Sequence, residues 1–241
     1  MIGLVTGASR GLGYTLVNMG LEKGYRMVAC WLGSPEDNAD LLKLQSKYGK
    51  QLLILQMDVT KEEEVELAAE KLAEISNKLD FIVNNAGVLF ESKYDTSDAI
   101  KDLDIKMLRK TLEVNTVGPA IVLKKFIPFI YQSEDPVIIN ITSEAGHLNP
   151  GGHNYLAYSV SKHGVNMYTQ MIRNYLKETP GKEHIRIFMV HPGRMQTLMG
   201  AENAQIEPNE SANGIFQLID KTLNPELDIP FVNYKGEQMP Y

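Results

Sequence analysis

Short apolar runs alternate along this chain with longer stretches in which apolar residues recur at helical spacing. The runs at 2–6, 26–31, 52–56, 81–84, 137–142 and 185–190 read as strands, with 229–232 a candidate seventh. The stretches 11–23, 37–48, 62–75, 105–131, 157–178 and 211–223 read as helices. Thr60 and Glu63 have capping-box spacing at the start of the third helix. Pro119 predicts a kink in the long fourth helix, and Pro180-Gly181 stops the fifth. Runs such as Leu52-Leu53-Ile54-Leu55 and Val137-Ile138-Ile139 are apolar throughout rather than alternating, which suits strands covered on both faces. The expected fold is therefore α/β and doubly wound, with a mostly parallel seven-stranded sheet in a single domain over residues 1–241.

In such sheets ligands bind beyond the carboxyl ends of the strands. Thr6-Gly7, Asp58, Asn84-Asn85, Thr142-Ser143 and His191-Pro192-Gly193 all fall at predicted strand ends. The first is a glycine-rich turn, Thr6-Gly7-Ala8-Ser9-Arg10-Gly11-Leu12-Gly13, opening the first helix. Glycines there permit a tight turn and close backbone approach, and the helix start attracts phosphate. Its spacing is Gly-x-x-x-Gly-x-Gly rather than the common dinucleotide Gly-x-Gly-x-x-Gly. The second strand ends Cys30-Trp31-Leu32-Gly33, without the acid that would hold the ribose hydroxyl of NAD. The nearest acids are Glu36 and Asp37, at the next helix start. Arg10 suits a charge-assisted pairing with a 2′-phosphate. NADP(H) is thus favoured as cofactor, with NAD(H) the alternative. Trp31 fits either beside the adenine or in the core.

Composition narrows the class further. At 44% hydrophobic and 22% charged, the 241 residues resemble an ordinary globular protein. A net charge of −6 argues against a nucleic-acid partner. No stretch approaches the roughly 20 apolar residues that span a bilayer, and the first residues read as a strand rather than a secretory signal. The lone cysteine, Cys30, lies in an apolar run and reads as an inert core residue. The expected location is cytoplasmic.

The strongest chemical signal is Tyr158-Ser159-Val160-Ser161-Lys162, with Ser143 fifteen residues upstream of the tyrosine. Residues four apart share a helix face, so a phenol and an ammonium are neighbours. A free tyrosine has a pKa of roughly 10. A nearby cation is expected to lower it and fit the phenol for acid–base work. Tyr155 lacks a lysine at the matching position. A serine hydrolase is disfavoured because no Gly-x-Ser-x-Gly elbow surrounds Ser143. No histidine pair has metal-ligand spacing, and no metal is expected.

Together these motifs resemble the short-chain dehydrogenase/reductase family, a group with the Rossmann fold. The resemblance rests on the glycine turn, Asp58-Val59, Asn84-Asn85-Ala86-Gly87, Asn115, Ser143, Tyr158-x-x-x-Lys162, and Pro192-Gly193 with Thr197. Val190-His191-Pro192-Gly193, Thr197-x-Met199-Gly200 and the ending Asn233-Tyr234-Lys235-Gly236-Glu237-x-Met239-Pro240 are most similar to the sniffer and C-factor group of small carbonyl reductases. The resemblance implies that Ser143, Tyr158, Lys162 and Asn115 are catalytic. Tyr158 would be the proton donor and Ser143 the stabiliser of the carbonyl oxygen. Lys162 would hold the nicotinamide ribose, and Asn115 a water linking Lys162 to solvent. Gly7, Ser9, Arg10, Gly11, Leu12 and Gly13 would line the phosphate turn. Asp58 would accept from the adenine amine, with Val59 beside it; Asn85, Ala86 and Gly87 would line the cofactor path. Pro192, Gly193 and Thr197 would hold the carboxamide side. The implied partner is a small carbonyl compound, with a homodimer or homotetramer possible through the helices at 105–131 and 157–178. Two rivals share the fold: a cofactor-binding sensor without turnover, and an NAD-dependent alcohol dehydrogenase. Arg194 reads as a solvent-facing charge or an attractor of anionic substrates, and 194–207 and 145–154 as walls of the substrate site.

Overall fold

The computed structural model describes residues 1–33, 38–91, 98–149, 154–195 and 204–241. Among the described residues the chain runs β1 (Ile2–Thr6), α1 (Gly11–Glu22), β2 (Arg26–Trp31), α2 (Ala39–Tyr48), β3 (Leu52–Gln56), α3 (Glu62–Ala73) and β4 (Phe81–Asn84). It continues through α4 (Ile105–Leu112), α5 (Gly118–Ile130), β5 (Val137–Ile141), α6 (Leu156–Glu178), β6 (Arg186–His191), α7 (Pro208–Ile219) and β7 (Phe231–Asn233). The seven strands form one sheet in the order β3-β2-β1-β4-β5-β6-β7. Every pairing is parallel, so the expected mostly parallel sheet is wholly so.

The continuous apolar runs have the predicted cause. Successive residues of a strand point to opposite faces, and both faces are covered. Leu4, Val28, Ile82, Ile138 and Ile187 join the core on the side of α3, α5 and α6. Their neighbours Val5, Ala29, Val83, Ile139 and Phe188 join the core on the side of α1 and α7. Cys30 is buried in the first of these cores. Trp31 packs into the second.

The strand order reverses direction between β1 and β4, where ligand crevices form in open sheets. Side chains bind this seam at both ends. Asp80 Oδ2 accepts from the Ile2 amide at 2.7 Å, while the Asp80 amide donates to Ile2 O at 2.8 Å. At the other end Thr6 Oγ1 accepts from the Asn85 and Ala86 amides, each at 3.0 Å.

Two local expectations are corrected. Thr60 and Glu63 make no capping box: α3 starts after Lys61, whose side chain caps nothing. Instead Asp58 Oδ1 accepts from the Thr60 amide (2.9 Å) and hydroxyl (2.8 Å). Glu64, one residue later than expected, accepts from the Asp58 amide at 2.8 Å. The Thr60 hydroxyl is engaged as a donor to Asp58, and α3 begins one residue too late for Thr60 to be its cap. The break in the long fourth helix also has another cause. A π turn at Glu113–Val117 separates α4 from α5, and π bulges commonly bend helices. Pro119 falls in the first turn of α5, where the missing amide hydrogen costs little.

Candidate active site

One cleft of about 2410 Å³ runs along the carboxyl ends of the strands. It collects most of the residues singled out by the sequence. Gly7, Ser9, Arg10, Gly11 and Leu12 line it, as do Asp58, Val59, Asn85, Ala86 and Gly87. Ser143, Tyr158, Lys162, Pro192 and Gly193 line it too. Gly13 and Asn115 are buried behind its wall. Thr197, Met199, His153, Glu36 and Asp37 lie outside the described residues.

The glycine turn is held by its neighbours. Gly7 has φ +65, and a Cβ there would lie 2.8 Å from the Ala86 Cα. Only glycine combines that conformation with that approach. A Cβ on Gly13 would lie 2.2 Å from Gly7 O. Asn85 Nδ2 donates to Thr6 O at 2.9 Å and Gly7 O at 3.1 Å, fixing the turn to the end of β4. Arg10 is exposed, in extended backbone immediately before α1. This constricted glycine edge, with free helix-start amides and a cation, fits a dinucleotide phosphate. Farther along, a Cβ on Gly87 would come within 3.3 Å of Asn115 Oδ1 and 3.6 Å of Lys162 Nζ, so the wall there is also drawn close to Asn115 and α6.

The end of the cleft that holds Ser143, Tyr158 and Lys162 is built from β5 and α6. Ser143 follows β5 in extended backbone, and its Oγ accepts from the Ala145 amide at 3.1 Å. The Ser143 side chain also lies near enough to the Tyr158 phenol to favour its ionised form. Lys162 is buried and donates from Nζ to Ile141 O at 2.9 Å. Its Nζ lies 5.6 Å from the Tyr158 ring centroid.

These contacts correct the expected electrostatics of the pair. Burial pushes the Tyr158 phenol up from its ordinary value; the nearby Ser143 side chain acts against this and the Glu144 charge adds to it. Lys162 is itself brought down to about 8 by burial. Its ammonium is spent on a carbonyl and pays its own desolvation, so it does not pull the phenol down.

Asn115, in the π turn, has its side chain committed to protein. Oδ1 accepts from the Val88 amide at 2.8 Å, and Nδ2 donates to Val88 O and Ser161 Oγ, both at 2.9 Å. The Ser161 hydroxyl donates onward to Tyr158 O at 2.7 Å.

Arg194 faces solvent, as one of its two readings expected, and is paired rather than free. Its Nε donates to Glu144 Oε1 at 2.6 Å across the cleft mouth. The Glu144 amide donates to His191 Nδ1 at 3.2 Å, and burial brings the His191 pKa down, favouring a neutral ring.

Sequence reasoning missed Glu91. Its two carboxylate oxygens accept from the Ala157 and Tyr158 amides, each at 2.8 Å. The only signal was indirect: α6 begins after Tyr155, which caps nothing with its side chain, so its first amides need a partner from elsewhere.

Comparison with known proteins decides the family. The pattern described as "short chain dehydrogenase" matches residues 2–208. The chain belongs to the short chain dehydrogenase family. It is an NAD(P)-dependent dehydrogenase/reductase in that sense, and the resemblance seen in its motifs is borne out. A 1-hydroxy-2-glutathionyl-2-methyl-3-butene dehydrogenase of Rhodococcus sp. (strain AD45) is 29% identical, over 97% of this chain and 96% of that one. The C-signal protein of Myxococcus xanthus is 31% identical, over 68% of this chain and 93% of its own length. Among solved structures, the NADPH-bound carbonyl reductase from chicken fatty liver aligns with a TM-score of 0.85 at 26% identity, covering 99% of this chain and 98% of that one. The carbonyl reductase Sniffer of D. melanogaster aligns with a TM-score of 0.83, also at 26% identity and with the same coverage of each chain. Sniffer and the C-signal protein are consistent with the sniffer and C-factor group expected from the sequence. Among the described residues, no helix is long and apolar enough to cross a membrane.

Proposed function

We propose that this family member is an NADP(H)-dependent carbonyl reductase that converts an aldehyde or ketone to an alcohol, with Tyr158 as proton donor. The observation that carries the reading is the cluster of Ser143, Tyr158 and Lys162 at one end of a cleft whose other end is the glycine turn with Arg10. NADPH, when bound, supplies the hydride.

The chain's residues would bind, orient and manage charge. The start of α1 and Arg10 hold the phosphates, Asp58 accepts from the adenine amine, and Lys162 holds ribose hydroxyls. As hydride reaches the carbonyl carbon, negative charge develops on its oxygen. The Ser143 hydroxyl donates a hydrogen bond there, and the Tyr158 hydroxyl delivers the proton. The upward push on the Tyr158 pKa fits this direction: the phenol keeps its proton at neutral pH, as an acid for reduction requires. Alcohol oxidation would need the phenolate. The NADPH-bound relative and Sniffer, both named carbonyl reductases, support the same choice.

The test is to titrate the protein with NADPH and NADH and then follow nicotinamide absorbance with a panel of aldehydes, ketones and diketones. Turnover with NADPH is expected. Tyr158→Phe should keep cofactor affinity and lose about 100-fold or more in kcat. Tight NADPH binding with no turnover across the panel would overturn the reading, as would a fully active Tyr158→Phe variant.

A further inference from the structure

The N-terminus of α6 carries the tyrosine, and its capping is unusual. Tyr155, in the capping position, has φ 58 and ψ 44, and its side chain makes no capping bond. Within the helix, the Ser159 amide reaches Tyr155 O at 2.8 Å. The preceding amides cannot find partners inside the helix, and a local Ser, Thr, Asp or Asn usually supplies one. Here the partner comes from 66 and 67 residues earlier: Glu91 takes the Ala157 amide on one oxygen and the Tyr158 amide on the other. A carboxylate in that place also meets the positive end of the helix dipole.

The same segment grips the other side of the tyrosine. Val88, three residues before Glu91, is bonded at both its amide and its carbonyl by Asn115. Asn115 continues to Ser161, whose hydroxyl donates to Tyr158 O. The Tyr158 backbone is thus held at its amide by Glu91 directly, and at its carbonyl through Ser161 and Asn115. Both holds lead back to residues 88–91, in the segment that follows β4.

We propose that Glu91 is a positioning residue for Tyr158, a long-range cap that fixes the first turn of α6 so that the phenol stays against Ser143. This rests on the reading of Tyr158 as proton donor. Glu91 does not touch the reacting atoms; it acts through the backbone of the residue that does. Small misplacements of a reacting group are expensive in rate, on the order of 100-fold for about 1 Å. Glutamine keeps one oxygen acceptor but sets an amide group against the second N–H; alanine removes both acceptors.

The experiment compares Glu91→Ala and Glu91→Gln in the wild-type and Tyr158→Phe backgrounds. In the wild-type background, Glu91→Ala should lower kcat by about 10- to 100-fold. KM for the carbonyl and the NADPH dissociation constant should stay within about twofold, and Glu91→Gln should fall between alanine and wild type. Amide exchange by NMR should accelerate at Ala157 and Tyr158 in Glu91→Ala, with the central strands unchanged. In the Tyr158→Phe background, Glu91→Ala should cost nothing further, because the group it positions is gone. Wild-type kcat with wild-type exchange in Glu91→Ala would overturn the proposal. So would an equal further loss in the Tyr158→Phe background, which is the mark of general structural damage. Should Tyr158→Phe alone prove fully active, the proton-donor reading falls, and with it the positioning role. The exchange rates would then still report whether Glu91 caps the helix.

Discussion

Tyr158 and Lys162 share one face of α6, yet each is set by something other than its partner. The phenol is governed by its partial burial and by Ser143, and the ammonium by burial and the Ile141 carbonyl. Spacing revealed the pair because helical geometry is local. It did not reveal the direction of the phenol's shift, which depends on how deeply two side chains sink between β5 and α6. Arg10 is simpler, since it is exposed and lies on the turn itself. If it reads a 2′-phosphate, Arg10→Ala should weaken NADPH binding by about tenfold or more, the size of a lost charge-assisted hydrogen bond, and leave NADH nearly unchanged. Fluorescence titration with both cofactors checks this, and equal losses would remove Arg10 as the phosphate reader.

Among the elements, the π turn between α4 and α5 does what the proline was expected to do. Pro119 advertised a break, because proline is visible in any sequence. The turn itself was hidden, because it follows from Asn115 reaching across to Val88 and Ser161. The consequence is measurable in stability. Asn115→Ala removes three buried or half-buried hydrogen bonds, each worth about 1 kcal/mol net. It should therefore cost about 3 kcal/mol in urea unfolding. Pro119→Ala trades a first-turn proline for a good helix former and should cost only about 1 kcal/mol or less. The reverse ranking would make the proline the anchor of the break. The same contrast holds at helix starts. Thr60 and Glu63 matched a local motif, but Asp58 and Glu64 made the bonds. The Glu91 cap could not be read at all, because nothing in the spacing of residues 91 and 158 marks them as neighbours.

On the scale of the whole molecule, sequence reading was most complete. Strands buried on both faces leave no polar alternation, so their runs are continuous and stand out along the chain. The ends of those runs also marked the cleft, since a parallel sheet brings every carboxyl end to one edge. What the runs could not show is how the two sides of the sheet are joined where β1 meets β4. The ladder there is reinforced by Asp80 with Ile2 at one end and by Thr6 with Asn85 at the other. Packing of α1 on α7 and of α3 on α5 bridges it on both faces.

That seam makes the protein a two-piece object. The chain passes from the β3-β2-β1 side to the β4-β5-β6-β7 side once, between α3 and β4, through a connection in which Asn77 and Lys78 are exposed. Cutting an exposed connection leaves every contact across the seam in place. Co-expressed fragments 1–76 and 77–241 should therefore co-purify, melt in one cooperative transition and bind NADPH. Fragments that elute apart would show that the covalent link, rather than the riveted seam, holds the halves together. The cofactor cleft lies along that same joint, so a dinucleotide resting on the glycine turn and the end of β4 would act as a third fastener between the two pieces.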